Sequence, residues 1–191
     1  MDADDLTRAA DECAAFLGGA VDADWTVAVP DLDWTVAQTV AHVGDVLLWY
    51  ATEFAAGPRE LSTVDLEVRP STPPADLVAT LRSFTTVLAR VVAGAPDAAL
   101  GWHPWGMSDG SGFAGMGCDE LLVHTSDAGR GLGLDFVPSE DLAERVVRRL
   151  FPEAPADTDP WQTLLWANGR QALGDLPRRR KWRWTTDPRE S

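Results

Sequence analysis

Val36, Val40, Val43, Leu47, Tyr50 and Phe54 recur at alternating steps of four and three, and no other feature constrains the fold of this chain as much. Steps of three and four return to one face of a helix, whereas a step of three crosses to the opposite face of a strand. The spacing therefore predicts a long amphipathic helix whose apolar stripe must be buried against other elements. Thr35 and Gln38 are spaced as a capping box at its start, and Gly57-Pro58 ends it.

The remaining pattern is also helical. Residues 3 to 18 carry Leu6, Ala10, Cys13, Phe16 and Leu17 and stop at Gly18-Gly19. Pro73-Pro74 opens a third helix through Leu77, Leu81, Phe84, Leu88 and Val91, ending near Gly94. A fourth is expected from about Gly115 to Gly131, a fifth from Ser139 to Leu150, and a sixth from Asp159 to about Gly174. Residues 99 to 115, with Trp102, Trp105 and several glycines, read as a structured loop with a short extended piece. The tail, RRRKWRWTTDPRES, sets six Lys/Arg against Asp187 and Glu190 and is expected to dock Trp182 and Trp184 on the bundle. The whole, residues 1–191, reads as a single all-α domain with 178–191 as a basic, tryptophan-bearing tail.

At 45% hydrophobic residues the chain can bury a sizeable core, and its net charge of −14 argues against nucleic acid or an anionic membrane as partner. The two cysteines, Cys13 and Cys118, make no disulfide framework, which fits a cytoplasmic protein. The N-terminus is acidic, unlike a signal peptide, and no stretch is expected to reach membrane-spanning length.

Chemistry concentrates in DELLVHTSDAGR, residues 119 to 130. Glu120 and His124 are i and i+4 neighbours on a helix, so both can reach one ion. A third ligand must come from elsewhere: His42, His103 or a carboxylate. Phase favours His42, which at about 100° per residue lies roughly 120° from the centre of its helix's stripe, beside Val46 and Trp49. Glu120 and His124 sit roughly 90 to 130° off the stripe of Leu121, Thr125, Ala128 and Leu132. Two helices set flank to flank would bring the three together. Asp45 and Asp127, one turn beyond His42 and His124, are expected to orient an imidazole or add a ligand.

Other residues carry less. A Glu-x-x-x-His pair is also common as a helix-surface hydrogen bond. Cys118 reads as a core residue, since no cation stands near it in the sequence to favour a thiolate. Ser108 and Ser111 have no general base at a legible spacing, and the glycines from Gly106 to Gly117 lack the Lys-Ser/Thr of a phosphate loop. Arg130 is expected to pair with Asp127 or Asp135.

Taken with their surroundings, three segments resemble a known family. DLDWTVAQTVAHVGDVLLWY resembles the aromatic entrance and histidine-bearing second helix of the DinB-like metalloproteins, in particular the actinobacterial branch that includes mycothiol-dependent maleylpyruvate isomerase. GMGCDELLVHTSDAGRGLG resembles that branch's Glu-x-x-x-His-x-x-Asp helix, and DPWQTLLWANGR with the later Trp-Arg-Trp its closing helix and tail. The resemblance implies an antiparallel four-helix bundle with a long crossover, extended by C-terminal helices. It also implies a divalent metal, zinc before nickel, held by His42, Glu120 and His124. Ser126 departs from the family, where Trp is frequent, and a separate C-terminal substrate domain is not expected.

Members of known activity use the metal to activate a low-molecular-weight thiol. The expectation is thus a thiol transferase or isomerase acting on a small molecule, with mycothiol as candidate co-substrate and the loop of Trp102, His103 and Trp105 walling the pocket. A non-catalytic metal- or small-molecule-binding stress protein of the same fold is the alternative. Exposed tryptophans would point to a homodimer surface.

Overall fold

The structure, a computed structural model, describes residues 1–188; the last three residues of the basic tail lie outside the described residues. It contains α1 (Ala3–Gly18), α2 (Val36–Ala56), α3 (Pro74–Gly94), α4 (Gly110–Leu132), α5 (Glu140–Leu150) and α6 (Pro160–Ala167). Among the described residues there is no strand, only isolated backbone bridges. The fold is an all-α bundle: α1 and α2 each pack on both α3 and α4, and α5 packs on α4 and α6. Leu6, Leu17, Leu47, Leu81, Leu88 and Leu121 are buried between the first four helices.

The stripe of α2 is buried as its spacing requires. Its capping box is also formed: Gln38 N donates to Thr35 Oγ1 at 3.2 Å, and Thr35 N donates to Gln38 Oε1 at 2.8 Å.

Helix α4 is the centre of the molecule. From Gly112 to Gly129 every residue except His124 is buried. Its N-terminal half is built of small residues that let other helices close in: a Cβ on Gly117 would stand 2.7 Å from Leu6 and 2.9 Å from Leu88. A helix enclosed on all sides must pair its polar residues inside the protein, and the site is made from that requirement.

Two helix boundaries differ from expectation. α4 begins at Gly110 rather than near Gly115, because Asp109 caps it, accepting from Gly112 N at 2.7 Å, while the buried Arg149 holds the same carboxylate at 3.0 Å. α6 ends at Ala167 rather than near Gly174: Asn168 turns its side chain inward to Asp119, and Gly169 takes φ +68. The membrane expectation also needs correction. Pro74–Gly94, at 21 residues, is long and apolar enough to span a bilayer by length and composition. Here it packs in the bundle through Leu77, Leu81 and Leu88, with Arg82 paired to Asp11 at 2.5 Å.

The loop before α4 is closed by paired backbone bonds, Gly101 N to Ser108 O at 2.9 Å and Ser108 N to Gly101 O at 3.0 Å. This is the expected extended piece. A Cβ on Gly101 would lie 2.8 Å from the Phe54 backbone and 2.6 Å from the Phe113 ring. Backbone cannot yield as a side-chain tip can, so Gly101→Ala is expected to destabilise the protein by about 1–3 kcal/mol. The shift of the urea midpoint measures it.

Candidate metal centre

His42 projects from α2, and Glu120 and His124 project from α4 one turn apart. Their ligand-type atoms lie within 4.8 Å of one another. Glu120 Oε2 stands 3.2 Å from His124 Nε2 and 3.7 Å from His42 Nε2. Donors about 2.0–2.2 Å from one tetrahedral ion stand roughly 3.3–3.6 Å apart. The spacing thus suits an ion held between them.

The carboxylate is divided between two tasks. Oε1 accepts a hydrogen bond from the buried Tyr50 hydroxyl at 3.2 Å, whereas Oε2 is buried without a hydrogen-bond donor. A buried oxygen left in that condition is costly unless a cation faces it, and either the His124 imidazolium, 3.2 Å away, or an ion held between the side chains supplies one. His124 Nδ1 lies 3.1 Å from Asp127 Oδ2, and its Nε2 faces Glu120. Asp127 is fixed from behind by Arg170, whose Nη2 donates at 2.7 Å and Nε at 3.2 Å. Nδ1 makes no aligned hydrogen bond to that carboxylate, so Asp127 acts on His124 as a neighbouring charge. Two imidazoles and a carboxylate are also a donor set that catalytic zinc uses, with a position left for water or substrate. On each count the residues present fit a divalent ion.

The electrostatics follow from this packing. Burial opposes ionisation of Glu120, but the imidazoles of His124 and His42 and the Tyr50 hydroxyl outweigh it and hold the carboxyl below its ordinary range. Burial likewise lowers His124, and the flanking carboxylates Asp127 and Glu120 more than reverse it, to about 9. For His42 burial wins and its pKa falls. Asp119, next to Glu120, is raised to about 7 by burial and by that neighbour. It is bonded to Asn168 Nδ2 at 2.7 Å and Trp184 Nε1 at 3.0 Å, so it ties the end of α6 and the tail to α4.

A cavity of ≈ 430 Å³ opens over the three side chains. Trp34, Trp49, His103, Trp105 and Trp184 wall it. The two exposed tryptophans, Trp34 and Trp105, are therefore cavity walls. His103 is buried among Trp49, Tyr50, Trp105 and Trp184, and its Nδ1 accepts from Trp105 N at 3.2 Å. Burial lowers its pKa to about 4, so it is neutral at pH 7.

Not every expected site residue is here. Asp45 does not reach His42; its Oδ1 accepts from Val68 N and pins the connection between α2 and α3. Trp102 packs edge-on against Trp49, ring centroids 6.3 Å apart, and does not line the cavity. Arg130 pairs with Asp31 at 3.0 Å, with Asp127 only at 3.9 Å. Cys13 and Cys118 are buried thiols raised by burial, Cys13 to about 12. Sequence reasoning missed Tyr50 as a partner of Glu120, and it missed Asp119, Asn168 and Arg170 altogether. The Asn168-Gly169 pair, a helix-stop signal, was the available clue that Arg170 leaves the helix.

Comparison with curated proteins and with solved structures finds no match. The family model for the mycothiol maleylpyruvate isomerase N-terminal domain matches residues 6–129, which hold α1 to most of α4 and all three clustered side chains. That match covers well over half of the chain, and the chain belongs to the mycothiol maleylpyruvate isomerase N-terminal domain family.

Proposed function

We propose that the protein is a metal-dependent enzyme of the thiol-transferase or isomerase type, with His42, Glu120 and His124 holding a divalent ion, zinc before nickel. The observation that carries the proposal is Glu120 Oε2, a buried carboxylate oxygen without a donor, facing two imidazole nitrogens at the floor of an open cavity. A bound ion would act as a Lewis acid and lower the pKa of a coordinated thiol.

The chain's own residues supply the rest. Tyr50 holds Glu120 by a hydrogen bond, and Asp127 places a negative charge 3.1 Å from His124 Nδ1. The tryptophan walls offer flat apolar surface to a small electrophile. Neutral His103, with Nδ1 taken by Trp105 N, carries its proton on Nε2 and can donate it in a hydrogen bond to substrate. Because Trp182 and Trp184 help to wall the cavity, residues 1–191 are read as one functional unit.

The test is thiol consumption by zinc- or nickel-loaded protein with mycothiol, bacillithiol or glutathione against chloronitrobenzenes and epoxides. Metal-dependent turnover is expected. Asp127→Asn is expected to weaken metal binding by about 10–100-fold and to reduce turnover at limiting metal. Stoichiometric metal without turnover on any pair would favour the alternative, a non-catalytic binding protein of this fold.

A further inference from the structure

A second cavity, ≈ 680 Å³, adjoins the one over the three metal-type side chains. The two share Leu32, Asn168, Arg170 and Trp182 as a common wall. Arg170, Arg178, Arg179 and Arg180 all line the second cavity, and among the described residues no carboxylate lines it. The chain as a whole carries 30 Asp/Glu against 16 Lys/Arg, so four arginines around a hollow with no acid among its described lining residues depart sharply from its average.

The acids that do touch these arginines stand outside the lining. Arg170 is backed by Asp127, Arg178 reaches Asp31 at 3.4 Å and Arg179 reaches Glu153 at 3.2 Å. Among the described residues Arg180 has no ion-pair partner, and it is exposed. Arg178 is also held by the Gly169 carbonyl, and Arg179 lies over the Trp166 ring at 5.1 Å. These contacts order the guanidinium groups of Arg170, Arg178 and Arg179 while leaving donors free, which is how arginine recognises carboxylate and phosphate.

We propose that this cavity is a docking site for the anionic end of the ligand. The ligand would be a carboxylate- or phosphate-bearing small molecule whose other end reaches His42, Glu120 and His124 across the shared wall. The second half of the statement rests on the metal reading given above; the anion site itself does not. Arg170 is the hinge between the two, since it lines both cavities and also fixes Asp127 behind His124. A ligand anion bonded to Arg170 would therefore touch the same guanidinium that holds the carboxylate beside a metal-type histidine.

Calorimetric titration with succinate and inorganic phosphate, on metal-loaded and metal-free protein, tests the site. Both anions are expected to bind in both states, more weakly as salt rises. Arg179→Gln/Arg180→Gln is expected to weaken them by about tenfold or more, the scale of one charge-assisted hydrogen bond. Arg82→Gln/Arg90→Gln removes the same charge from α3 and is expected to leave the affinity within about twofold, since those groups lie outside the cavity. An equal loss in both variants, or binding no tighter than uncharged butane-1,4-diol, would overturn the proposal. Mercaptosuccinate against 2-mercaptoethanol on metal-loaded protein then locates the anion: a gain that Arg179→Gln/Arg180→Gln removes puts it on the thiol, and no gain over succinate puts it on the second substrate. Since the anion is read on metal-free protein too, failure of the metal site and failure of this site give different results.

Discussion

Replacing Glu120 by alanine is expected to reduce metal from near one equivalent to near none after dialysis, with the helical circular dichroism retained. Glu120 supplies the oxygen that faces both imidazoles, so its loss leaves two nitrogen donors on different helices with nothing between them. The stability readout is independent of stoichiometry. A ligand that binds only the folded state at about a thousand times its Kd adds roughly 4 kcal/mol. For a domain of this size that is a rise in Tm of roughly 8–16 °C. Zinc added to chelated wild-type protein is therefore expected to raise Tm by that order, and zinc added to Glu120→Ala to leave it unchanged. Glu120→Gln is a useful companion, because it keeps an acceptor for the Tyr50 hydroxyl and removes only the charge. Metal retained in both variants would show that the ion, if held, is held elsewhere.

His42, Glu120 and His124 could be brought together from sequence because each lies on a long periodic helix. Helical phase propagates along a rigid element, so two flanks could be matched with no knowledge of the loops. The same reasoning failed for Asp45. One turn from His42 it shares the right face, but the Val68 N–H, part of an irregular connection, claims its carboxylate. No periodicity encodes that contact. Arg170 and Trp184 were illegible for a related reason: each meets α4 from a segment without regular structure, 43 and 65 residues away in sequence. The tail's docking was legible in kind, because tryptophans among basic residues seek an apolar surface, but the choice of Asp119 as partner was not.

The early start of α4 shows how a local signal can be overlooked. Asp109 is a favoured cap residue, yet the run GSGFAG looks like loop because glycine disfavours helix by about 1 kcal/mol per residue. Burial on all sides supplies what propensity withholds. Gly112, Gly115 and Gly117 let Ser108, Arg149, Leu150 and Leu6 approach to distances at which a Cβ would collide. Polar groups that fall on such an enclosed helix must be paired, and the pairing of Asp119, Glu120 and Asp127 follows directly.

Arg149→Leu is expected to produce the largest loss of stability of any charge-removing change away from the metal centre. Arg149 is 3% exposed, and its guanidinium joins three separate parts of the fold. Nη2 donates to Asp109 Oδ1 at 3.0 Å at the start of α4 and to the Asp187 carbonyl at 3.2 Å, and Nη1 donates to the Thr185 carbonyl at 3.1 Å. Removing it takes the guanidinium from a helix-capping carboxylate and donors from two tail carbonyls, and breaking a buried pair in this way costs about 3–5 kcal/mol. Asp109→Ala leaves the opposite partner but also deletes the cap, itself worth about 0.5–2 kcal/mol. The double variant separates these terms: if the pair dominates, Arg149→Leu with Asp109→Ala is less destabilised than the sum of the two single changes. Urea unfolding of the four proteins measures the cycle. The tail gives a second readout, because Thr185 and Asp187 follow closely on Trp184, which donates to Asp119. Arg149→Leu should therefore speed proteolysis after Arg178–Arg183 under native conditions, while Arg148→Leu, one residue away and among the described residues paired only to the exposed Glu144, leaves both stability and cleavage near wild type. Equal effects from the two arginines would mean that Arg149 acts only as surface charge and that the tail is held by its tryptophans alone.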